Sequence, residues 1–196
     1  LCKINGNKFT NQNNTLASIY IVRDPRNVVT SIANHYQITT RNAFDFMKDK
    51  NRGIIEKEGN RFTGFQPLFS WDLHLKSWTE NTLYPLLIVR YEDLLIDTAS
   101  TFKRVLEFTK KVTNSKNPVD KKKLLKCVEN CKFSNLKKME KEKGFDESMV
   151  NKKTGDKITF FNLGEKNIFK DILEKDLIDE MNDYFKYQLK KYKYII

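Results

Sequence analysis

Three cysteines in 196 residues are too few for a disulfide framework, and no histidine neighbours them in sequence. Cys127 and Cys131 stand one helical turn apart, which offers a metal too few ligands. The expectation is therefore no metal site, with reduced and mostly buried thiols, as in a cytoplasmic protein. The two histidines, His35 and His74, lie far apart in sequence, and each reads as structural rather than catalytic. Long apolar runs are also missing. The longest, Leu83 to Val89, is interrupted by Pro85 and falls well short of a membrane span. The start carries no secretory signal pattern, and the chain shows neither a repeat nor an internal linker.

What the chain has in excess is positive charge, with a formal net charge of +11. Such a balance raises nucleic-acid binding as a possibility. Its distribution argues against that use. Most of the excess is Lys, interleaved with Glu and Asp on polar helix faces, and its densest patch is Lys121-Lys122-Lys123 with Lys126 nearby. That run reads as a solvated face. Length and an ordinary apolar content fit one globular domain over residues 1–196.

The most informative stretch is Leu16-Ala-Ser-Ile-Tyr-Ile-Val-Arg-Asp-Pro-Arg-Asn-Val-Val-Thr-Ser31. Ile19 to Val22 reads as a buried strand that stops at Arg23. Asp24 is a good N-cap and Pro25 fits the first helical position. Val28, Val29, Ile32, Ala33 and Tyr36 then recur at helical spacing, which predicts a helix over residues 26–37. Strand, turn, guanidinium and helix N-terminus together suit an anion. Ser31 lies nearly two turns on, so a bent-back Arg23 could share a ligand with it. The alternative is a surface charge at a strand end beside a solvated serine.

Further on, residues 1–15 read as a polar loop, 42–50 as a short helix and 51–66 as a flexible loop. A strong helix is expected over residues 69–83, with a second buried strand over residues 86–89 that ends at Arg90-Tyr91-Glu92-Asp93-Leu94. Asp97 or Thr98 caps the next helix, Pro118 opens another, residues 156–161 look extended, and residues 176–192 form a closing helix. The order strand, helices, strand, helices favours an α/β domain with parallel strands covered by helices. Two strands make a thin sheet for so many helices, so part of the sheet is expected outside this chain.

Val22-Arg23-Asp24-Pro25-Arg26-Asn27-Val28-Val29-Thr30-Ser31 closely resembles the 3′-phosphate-binding segment of sulfotransferases that use 3′-phosphoadenosine 5′-phosphosulfate (PAPS). Three later segments are similar to that family in the same order: Arg90-Tyr91-Glu92-Asp93-Leu94, Cys131-Lys132-Phe133-Ser134-Asn135-Leu136-Lys137 and Phe160-Phe161-Asn162-Leu163-Gly164. The resemblance implies a P-loop NTPase-like parallel sheet flanked by helices. It implies PAPS as sulfuryl donor, with Arg23 and Ser31 on the 3′-phosphate, Tyr91 and Phe133 on the adenine, and the backbone N–H of Gly164 on the phosphate. Glu92 and Asp93 look structural. For Phe133 taken alone, packing at a helix junction is the simpler reading.

The chain also departs from the family. Asn162 and Leu163 stand where an Arg and a Lys are usual, and Cys131 replaces a hydroxyl. Lys157 and Lys166 are candidate replacement cations by sequence proximity alone. The Gly-rich phosphosulfate loop, its strand, and the Lys-Thr-His segment that carries the catalytic base have no counterpart here. The chain starts with Leu1, about where that segment would end, so the expectation is the C-terminal portion of a sulfotransferase, inactive alone and with no catalytic residue of its own. The implied function is sulfuryl transfer to a hydroxyl or amine acceptor, this chain supplying the adenosine 3′-phosphate half of the donor site. The alternative is a catalytically inactive nucleotide-binding or interaction module on the same fold. Loops over residues 51–66 and 140–157 would help build the acceptor pocket, and carbohydrate, lipid and small phenolic or amine acceptors stay open, as does oligomeric state.

Overall fold

The computed structural model describes residues 3–4, 7–8, 13–58, 61–80, 83–146, 148–151 and 154–194. In chain order the elements begin with strands β1 (Lys3–Ile4), β2 (Asn7–Lys8) and β3 (Ser18–Val22). Helices α1 (Pro25–Tyr36) and α2 (Thr40–Lys48), strands β4 (Gly53–Glu58) and β5 (Arg61–Pro67), helix α3 (Trp71–Thr79) and strand β6 (Leu86–Arg90) follow. The rest is helical: α4 (Tyr91–Ile96), α5 (Thr98–Val112), α6 (Lys121–Asn130), α7 (Phe133–Lys143), a 3-10 turn (Gly164–Lys166), α8 (Phe169–Ile172), α9 (Lys175–Tyr184) and α10 (Lys186–Lys191). The chain divides into two compact units, residues 1–22 with 76–129 and residues 23–75 with 130–196.

In the first unit, β3 and β6 pair parallel, in register from Ser18↔Leu86 to Val22↔Arg90. The expected mixed α/β fold with parallel strands is present. Helices α4 and α5 pack against β6 and each other. The strand β3 is not buried on both faces as its apolar run suggests. Tyr20 packs on Trp78, ring centroids 6.1 Å apart, and Val22 is buried. Ile19 and Ile21 point the other way and are exposed, because strand side chains alternate between faces. The polar first residues also hold a short antiparallel pair, β1 with β2, where a plain loop is expected. Cys127 and Cys131 are exposed, against the expectation of buried thiols. In helix α6 Leu124 is buried and Val128 half-buried while Cys127 faces solvent, and Cys131 comes after the helix has ended at Asn130. The lysines at 121–123 are exposed, as a solvated face requires.

In the second unit, α1 packs on α2, α8 and α9. Val29, Phe44, Met181, Phe185 and Leu189 form its buried centre. The Phe185 ring meets Phe44 and Trp71 edge-on at 5.9 and 5.0 Å. That residue interrupts the expected closing helix, with α9 ending before it and α10 starting after it. Where a flexible loop is expected, β4 and β5 pair antiparallel from Gly53↔Pro67 to Glu58↔Arg61, with a bulge at Glu56/Lys57. The expected helix over 69–83 starts two residues late. Leu68 N and Phe69 N both donate to Arg52 O, at 2.9 and 2.8 Å, and Phe69 takes φ +58, which no helix start tolerates. Residues 81–82, at its far end, lie outside the described residues.

Candidate functional site

The start of α1 follows from local chemistry. The Asp24 carboxylate accepts from Arg26 N at 2.9 Å, and Pro25 fills the first helical position. The same carboxylate takes the Arg26 guanidinium two-pronged, Nε on Oδ1 at 3.0 Å and Nη2 on Oδ2 at 2.7 Å. Arg26 also donates to Asn182 Oδ1 at 2.8 Å and lies 4.2 Å over the Phe169 ring. Both charges are buried. A buried ion pair needs this many partners to stand. Of the two arginines that bracket Asp24-Pro25, Arg26 thus holds the turn.

Arg23 bends back as its spacing suggests, Nη1 donating to Ser31 Oγ at 3.5 Å. Ser31 Oγ donates to Asn27 O at 3.2 Å and accepts from Asn167 Nδ2 at 3.1 Å. Asn167 is buried, and the sequence reading passes over it. It also accepts from Thr30 Oγ1 at 2.6 Å and donates to Asn27 O at 3.0 Å. Phe169 N donates to Asn27 Oδ1 at 2.9 Å, and Asn162 Nδ2 to Asn34 Oδ1 at 2.8 Å. The chain from 162 to 169 is therefore laid along α1, running back from Asn34 to Asn27. Gly164 lies on that segment, between the two anchors.

Gly164 must be glycine. Its φ is +54, and a Cβ there would sit 2.6 Å from the Phe133 ring. Phe133 is half-buried, with its ring 6.1 Å from Phe161 and nearly perpendicular to it. So the second unit brings Arg23 to Ser31 and Phe133 to Gly164, on one segment anchored to one helix. Tyr91 belongs to the first unit, where it is the first, half-buried residue of α4.

Helix α7 lines the other side of the same segment. Phe133 touches Gly164, Lys137 Nζ donates to Asn162 O at 3.2 Å, and the Glu140 carboxylate accepts from Phe160 N and Phe161 N at 2.6 and 2.9 Å. These three residues follow at i, i+4 and i+7, one helical face, which antiparallel chain from 160 to 164 matches. Ser148 Oγ donates to Glu140 at 3.1 Å. Burial would raise the Glu140 carboxyl, but the two amides, Ser148 and the nearby Lys137 charge together hold it below its ordinary value. Glu140 is thus helical, where a loop over 140–157 is expected. The helix runs on to Lys143 and stops at Gly144, φ +78. Residues 156–161 form no strand; an isolated antiparallel bridge, Val150↔Lys157, holds their start.

Of the two expected replacement cations, Lys157 reaches elsewhere. Its Nζ lies 3.6 Å from where a Cβ on Gly144 would stand. Lys166 is exposed at the end of the 3-10 turn. His35 packs edge-on against the Phe160 ring at 6.1 Å, a structural use. Asn27, Asn34, Lys137 and Glu140 join Asn167 as residues that sequence reasoning misses. Only the 133–137–140 spacing was there to find, and its mixed polarity hides it.

The family model described as sulfotransferase domain matches residues 9–193. No curated protein matches the chain.

Proposed function

Because the chain belongs to the sulfotransferase domain family, a family of sulfuryl transfer, we propose that it binds the adenosine 3′-phosphate half of PAPS. The observation that carries this is the Arg23–Ser31 contact of 3.5 Å on α1. A planar guanidinium and a hydroxyl that turns from Asn27 O toward a ligand converge at a helix as a donor set for a phosphate. Gly164 adds a second point of fit: the segment approaches Phe133 so closely that a Cβ would clash. In this reading Arg23, Ser31 and the Gly164 N–H hold the 3′-phosphate, and the open side of Phe133 stacks on adenine. Tyr91, placed by resemblance, contacts adenine too. Bound PAPS supplies the sulfuryl group that passes to a hydroxyl or amine acceptor as 3′,5′-ADP departs.

The single match runs across both compact units, which supports one sulfotransferase domain with a P-loop-like parallel sheet. Free, exposed thiols at Cys127 and Cys131 favour a cytoplasmic setting. Among the described residues no helix is long and apolar enough to cross a membrane.

Arg23→Ala is expected to abolish binding of 3′,5′-ADP, read by calorimetry; unchanged affinity would remove the assignment. A second reading, an inactive nucleotide-binding module, is favoured by Asn162, whose side chain serves Asn34 rather than a ligand. Binding of 3′,5′-ADP without sulfuryl transfer, measured on the whole gene product, would select it.

A further inference from the structure

A phosphate loop with Asn162 and Leu163 in it carries no cationic side chain at those positions. Helix α7 places one there from outside. Lys137 stands one turn beyond Phe133 on the face that meets the 160–164 segment, and its Nζ lies 3.2 Å from Asn162 O. From the Lys137 contact the chain runs two residues to Gly164, and Asn162 itself is anchored to Asn34, one turn along α1 from Ser31. We infer that Lys137 is the binding residue that supplies the 3′-phosphate with the charge its own loop lacks, an assignment that rests on the donor-site reading above.

The chemistry fits. An ammonium has three donors, and the bond to Asn162 O takes one of them. The others are available to an anion, on a stem flexible enough to follow it. The neighbouring carboxylate of Glu140 accepts from Phe160 N, Phe161 N and Ser148 Oγ, and the Lys137 charge also acts on it, so a bound phosphate shares that charge with Glu140. Lys157 cannot take the part. Its ammonium sits over Gly144, at the opposite end of α7 from the Phe133–Gly164 contact, about 16 Å along the helix axis.

The test compares 3′,5′-ADP with 5′-AMP, which differ only by the 3′-phosphate, by calorimetry on the full chain. Lys137→Gln is expected to weaken 3′,5′-ADP about tenfold and to leave 5′-AMP unchanged. Lys137→Arg should stay close to wild type, and Lys157→Gln should match it. A wild-type ratio in Lys137→Gln overturns the inference and leaves the donor site standing, as does the loss appearing in Lys166→Gln instead. A wild-type protein with no preference for 3′,5′-ADP overturns the donor site and the inference together. Should Lys137→Gln fail to fold, amine acetylation of the wild-type protein decides. Protection of Lys137 by 3′,5′-ADP but not by 5′-AMP is expected, and equal labelling overturns the assignment.

Discussion

Two strands in this protein end in the same way and lead to different structures. Val22 and Arg90 are register partners on β3 and β6, and each strand runs into an arginine and then a helix. After β3, Asp24 caps α1 and locks Arg26 in a buried pair, and twelve residues of helix follow. After β6, Arg90 occupies the cap position with no side-chain cap bond, and α4 runs six residues with none buried. Its charges are looser. Asp93 lies 3.6 Å from Arg90 and 3.9 Å from Arg104, all partly exposed. An arginine at a strand end thus does not make a site. The first turn differs in that a second, buried arginine holds its cap, Arg23 bends back to Ser31, and the 162–169 segment is bonded along the helix that follows.

The sharpest way to break this contrast is to remove each arginine. Arg26→Ala leaves Asp24 buried without its partner and should cost about 3–5 kcal/mol. Arg90→Ala should cost less than that, since its pair with Asp93 is longer and partly exposed. Urea midpoints at unchanged slope read both. Equal losses would mean that the two turns are equivalent after all.

A smaller effect is expected on the segment that covers α1. Gly155→Ala meets only the backbone cost of its φ of +79, about 1–2 kcal/mol, since nothing lies within 4 Å of the new Cβ. Gly164→Ala meets a similar cost and a ring 2.6 Å away as well, so it should be the more destabilising of the two. It should also weaken 3′,5′-ADP binding, which Gly155→Ala should not. Matching losses would show that Phe133 yields freely and that Gly164 is not held against it.

The smallest effect concerns the other end of that segment and depends on pH. The Glu140 carboxyl is held below its ordinary value of 4.5, so the unfolded chain takes up this proton first as pH falls. The stabilisation is therefore complete above 4.5 and is lost as pH drops through the lower folded value. Amide protection at Phe160 and Phe161 should fall over that window in the wild-type protein. In Glu140→Gln it should be lower throughout and flat. A wild-type profile equally flat would show that Glu140 does not pin the segment.

Much of the frame was legible from residue order. The apolar runs 19–22 and 86–89 announce strands, Asp24-Pro25 announces a helix start, and the spacing of Arg23 and Ser31 places them on one side of it. The antiparallel pair β4 and β5 was less plain. Ile54, Ile55, Phe62 and Phe65 are strand formers, but glycines and charges break their alternation, and a bulge shifts the register. Asn162 was misleading. It looks like a lost cation, and in the fold it is an anchor to Asn34.

By itself, then, the sequence determined what neighbours decide: caps, helix and strand periods, the family and the pair Arg23–Ser31. Tertiary structure alone decided that Arg26 is buried, that Asn167 holds Ser31, and that Lys137 and Glu140 line the 160–164 segment. The physical reason lies in the partners. Lys137 bonds a carbonyl 25 residues away and Asn167 reaches a hydroxyl 136 residues away. Backbone amides and carbonyls recur at nearly every residue, so no side chain marks which of them a distant lysine or glutamate will find.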